Sequence, residues 1–77
     1  MNKLILQKNT LKKEIAKIAN MMLDYMNSET PEETICDPEL EGRLLELDAV
    51  EKIELLRTEI KIRREKINKI DNLLKGA

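Results

Sequence analysis

The sequence predicts an all-α fold: an antiparallel two-helix hairpin, coiled-coil-like, that assembles into a helical-bundle oligomer. Three observations predict it. The chain is 42% apolar and 38% charged, with Tyr25 as its single aromatic residue, two glycines and two prolines. This is the composition of long helices, and it lacks the Val, Thr and aromatic content that sheets favour. Apolar residues recur at helical spacing in two long segments. Both prolines, Pro31 and Pro38, stand between those segments, where a chain reversal belongs.

The first helix is predicted over about 3–27. Its stripe reads Leu4, Leu11, Ile15, Ile18, Met22 and Tyr25, with Lys8 at the one interrupted position. The connector, about 28–37, carries Thr30-Pro31-Glu32-Glu33, a capping box with proline at the first helical position, so a short helical turn is expected over 31–36. Asp37-Pro38 repeats the start signal and opens a second helix over about 38–75. Its seam runs Ile53, Leu56, Ile60, Arg63, Ile67, Ile70 and Leu74, a heptad alternation with one charged break. Upstream, Leu40, Leu44, Leu47 and Val50 continue an apolar face, with a slip of phase near Ala49 and Val50. Gly42 costs about 1 kcal/mol relative to alanine in a helix interior. It either permits a close approach of the connector or first helix, or is a tolerated glycine near a helix end.

A connector of this length folds the helices back antiparallel. Pairing the end of the first with the start of the second sets Met22 near Leu44 or Leu45, Ile18 near Ala49, Ile15 near Ile53, Leu11 near Leu56 and Leu4 near Ile62. In that register the first helix is used up near Arg64, and the second overhangs by about 15 Å. The overhang carries Ile67, Ile70, Leu73 and Leu74, while Leu55 and Ile62 add a second stripe. These six residues are the expected oligomer seam, because a soluble monomer avoids so long an apolar strip. A chain of 77 residues with one cysteine and no histidine has no disulfide or zinc staple, which adds to the expectation of self-association, as a dimer or higher.

The net charge of −1 conceals a segregation. Residues 1–23 carry five lysines against one glutamate, residues 24–54 two cations against eleven carboxylates, and residues 55–77 seven cations against three carboxylates. A hairpin therefore has an acidic loop end and a basic open end. Pairs such as Glu59 with Arg63, Asp48 with Lys52 and Glu65 with Lys69 would place many of these charges on an ordinary helical surface. Lys8, Lys12, Arg57, Lys61, Arg63 and Arg64 are the candidate anion-binding residues, with Arg63-Arg64 suited to a phosphate. For Lys8 and Arg63, which interrupt the seam, a role in fixing register outweighs ligand binding.

No phosphate-binding glycine loop, nucleophile elbow, metalloprotease motif or CxxC is present, histidine is absent, and no cofactor or metal is expected. The chain is expected not to be an enzyme. It reads as a non-enzymatic interaction protein, of the kind of a small bacterial or phage regulator or inhibitor that binds another protein. The alternatives are a sequestering protein that holds a nucleotide or other anionic small molecule between subunits, and a nucleic-acid binder or acidic nucleic-acid mimic. No membrane association is expected, and the unpaired Cys36 fits the cytoplasm.

Overall fold

The computed structural model describes residues 2–31 and 37–76. Among them lie three helices: α1 (Lys3–Met26), α2 (Pro38–Leu45) and α3 (Ala49–Gly76). The expected helical turn over 31–36 and Cys36 fall outside the described residues, Pro31 apart. The fold is all-α, and α1 packs along α3 as the two arms of a hairpin. The molecule measures 44 × 21 × 19 Å.

Each helix starts on a short polar side chain that satisfies its otherwise unpaired N–H groups. Asn2 Oδ1 accepts from the Leu4 N–H at 2.8 Å. Asp37 Oδ1 accepts from Glu39 and Leu40 at 3.2 and 3.3 Å, with Pro38 directly after the cap. Asp48 Oδ1 accepts from the Glu51 N–H at 2.9 Å, and this bond holds the Asp48 carboxyl below its ordinary range. Asp48 is thus a cap and Lys52 goes elsewhere, so their expected surface ion pair does not form.

The end of α1 is a Schellman turn. Glu29 N–H donates to Asp24 O at 2.7 Å, Ser28 N–H to Tyr25 O at 3.1 Å, and Ser28 lies at φ 60°. An L residue there crowds its Cβ against the backbone, a cost of about 1–2 kcal/mol that glycine avoids. Ser28→Gly should raise the unfolding free energy by about 0.5–1 kcal/mol after the extra freedom of glycine in the unfolded chain is subtracted. Urea denaturation followed by circular dichroism measures it, and an unchanged midpoint would contradict the strain.

The second predicted helix is two helices. The chain breaks at Glu46–Asp48, just before the phase slip at Ala49 and Val50, and Asp48 restarts it. The break lets α2 fold back onto the hairpin. Leu40 and Leu44, 2% and 5% exposed, join Ile18, Met21 and Leu56 in the core, with Met22, Tyr25, Leu55 and Ile60 packed around them. The loop end is therefore three helices thick, and the open end two.

This break also changes the register. Lys8 pairs with Asp71, Glu14 with Arg63, and Lys52 Nζ lies 5.2 Å from the centre of the Tyr25 ring. Facing residues thus add to 77–79 rather than the expected 66 or so. The shift is about 12 residues along α3, or about 18 Å. Because α2 is spent on the turn, the end of α1 meets the first turns of α3, and the two long helices, 24 and 28 residues, match in length. The expected overhang does not exist. Ile70 is buried within the chain, and Ile67 and Leu74 are half-buried.

Candidate interaction surface

Arg63 occupies the centre of the α1–α3 seam, 8% exposed. Its Nη1 donates to Glu59 Oε2 at 2.9 Å and to the Glu59 carbonyl at 3.3 Å. Its Nε lies 3.5 Å from Glu14 Oε2 but is buried without a hydrogen bond. Glu59 in turn lies 3.9 Å from Arg43 of α2. Glu14, Arg63, Glu59 and Arg43 form a chain of alternating charge that touches all three helices. Burying an arginine is tolerable only when it is paired in this way.

Lys8, the other charge in the seam, is bound to Asp71 with both side chains partly exposed. The hydrogen bond from Lys8 is the main reason that the Asp71 carboxyl titrates below its ordinary range. A depressed folded-state pKa contributes stability that is present above the unfolded value, about 3.9 for aspartate, and is lost as pH falls through the folded value. Asp71→Asn should flatten the acid limb of the stability curve below about pH 4. Denaturation midpoints at several pH values test this, and an unaltered acid limb would refute it. Solvent around the pair keeps the effect small.

The six anion-binding candidates divide. Lys8 and Arg63 are engaged inside the hairpin. Lys12 is an exposed residue of α1 near enough to Asp71 to lower its pKa slightly. Arg57, Lys61 and Arg64 come together on one face of α3, around a pocket of about 470 Å³ floored by Met22 and Ile60, with Glu65 and Asn68. Arg57 also lies 3.7 Å from Glu54. The two adjacent arginines therefore separate: Arg63 points into the seam and Arg64 to the pocket.

The six expected seam residues divide as well. Ile70 is consumed by the intrachain interface, Leu55 packs on the core beneath α2, and Ile67 and Leu74 are half-buried. Ile62 and Leu73 remain open, 39% and 59% exposed. On the opposite face from the basic pocket, a groove of about 490 Å³ runs between the open-end halves of α1 and α3. Leu6, Leu11 and Ile70 supply its apolar lining, Gln7, Thr10 and Glu14 its α1 side, and Lys66 and Lys69 its α3 rim. Leu6, Lys66 and Lys69 were not expected here. Leu6 falls outside the main stripe of α1, and only the observed register brings it opposite Lys69 and Ile70.

No helix among the described residues is long and apolar enough to cross a membrane. Set against protein-family models, curated proteins and solved structures, the chain matches none of them.

Proposed function

We propose that the chain is a non-catalytic interaction protein, a self-associating helical hairpin that works by contact with protein surfaces. The observation that carries this reading is the balance of apolar side chains. Among the described residues six hydrophobic side chains are buried, whereas eight large ones are exposed: Ile5, Leu6, Leu23, Met26, Leu45, Val50, Ile62 and Leu73. Isolated exposed leucines are ordinary, but more large hydrophobics outside than inside signals a surface that another chain covers. The two-helix open end is the thin part of the molecule, and its groove is the natural place for a third helix, as α2 is at the loop end. Light scattering at tens of micromolar tests the reading: a dimer or larger species is expected, and a monomer throughout would end it.

One observation favours a second reading. Arg57, Lys61 and Arg64 converge on a pocket large enough for a small anion, which suits a protein that sequesters a nucleotide or similar ligand. A thermal-shift titration with ATP and with inorganic phosphate decides it. The reading requires stabilisation that Arg64→Ala abolishes; the absence of any shift removes it.

A further inference from the structure

We propose that two copies of the chain pair about a two-fold axis, antiparallel, with the outer face of α2 from each copy seated in the open groove of the other. This rests on the self-association reading and specifies the surface that performs it.

The placement is self-complementary. Glu59 and Lys66 lie seven residues, or two turns, apart and so share one side of α3; Glu14 and Met21 do the same on α1. Glu59 and Met21 mark where α2 packs, while Lys66 and Glu14 line the groove. One face of the hairpin thus carries a projecting helix at the loop end and a recess at the open end. A two-fold axis lying in the plane of that face, perpendicular to the helices, superposes projection on recess twice, which is the condition for a closed isologous dimer. Ile62, exposed and midway between them, falls near the axis.

Charge complements shape. Lys66 and Lys69 rim the recess, and the projecting helix carries Glu39 and Glu41, with Glu46 at its end. Only the antiparallel arrangement brings these signs together. Leu45, at 84% the most exposed of the large hydrophobics, belongs to this helix and supplies an apolar group for the recess.

Gly42 adds an independent observation. It lies on the side of α2 opposite Leu40 and Leu44, is exposed, and has no atom of the described residues within 4 Å of where a Cβ would stand. Among the described residues nothing calls for glycine there, and a close approach of α1 is not the reason for it; residues 32–36 of the connector lie outside the described residues. A partner backbone lying against α2 supplies the reason. The face available, 44 Å by about 20 Å, suffices for the roughly 800 Å² per partner of a standard interface.

The test is sedimentation equilibrium of the full chain and three variants, with thermal melts as fold controls. Gly42→Gln should make each chain more helical, since it removes a glycine from a helix, yet weaken the dimer at least tenfold. Leu45→Asp should weaken it similarly, whereas Leu23→Asp, outside the proposed face, should not. A dimer that survives the first two changes, or one that is lost in Leu23→Asp, overturns this arrangement while leaving self-association intact. A wild-type chain that stays monomeric overturns both.

Discussion

Replacing Glu59 by alanine should cost about 3 kcal/mol, while replacing Arg63 by methionine should cost less than about 1 kcal/mol. The asymmetry follows from the burial of the pair. Without Glu59, the guanidinium of Arg63 stays in the seam with only Glu14, 3.5 Å from its Nε, to balance it. Without Arg63, the guanidinium is gone and the carboxylates that remain have other partners, although the Glu59 side chain is only 15% exposed. Glu59 keeps Arg43 at 3.9 Å, and Glu14, with its side chain 31% exposed, can turn to water. Methionine also fills the space of the arginine stem, and the unbonded Nε disappears. Urea unfolding at fixed protein concentration gives both values. A loss above about 1 kcal/mol in Arg63→Met would mean that the network stabilises the fold outright, against the usual balance for buried ion pairs.

Leu56→Ala should destabilise the chain by about 2–5 kcal/mol. Leu56 is fully buried where α1, α2 and α3 meet, in contact with the cluster of Ile18, Met21, Leu40 and Leu44. A domain of this size has only about 4–12 kcal/mol to lose. The variant should thus melt far below the parent, and its α2 should detach first, since α2 is held by Leu40 and Leu44 alone among its buried residues. The control is Leu23→Ala, 55% exposed, which should stay within about 0.5 kcal/mol of the parent. Comparable losses in both would show that the core lies elsewhere.

The interior charges bear on how the hairpin is specified. Apolar heptads slide past each other at little cost, because one leucine replaces another at the next turn. Arg63 opposite Glu14 and Lys8 opposite Asp71 do not slide so freely, since another register takes each cation from its carboxylate across the seam. With Lys8 and Arg63 paired inside the hairpin, Arg57, Lys61 and Arg64 are the cations that share an open pocket.

Most of the helical boundaries were legible in the sequence. Periodicity set α1 and most of α3, and the Asp37-Pro38 pair set the start of α2. These are local properties, decided by side-chain spacing and capping within a few residues. Even the break before α3 left a trace, the slip of phase at Ala49 and Val50. The tertiary structure alone decided that α2 folds back. That choice depends on Leu40 and Leu44 finding Ile18, Met21 and Leu56, which are distant in the chain. Once α2 is spent on the turn, α3 slides about 18 Å along α1, the expected overhang vanishes, and the open groove lined by Leu6, Leu11 and Ile70 takes its place.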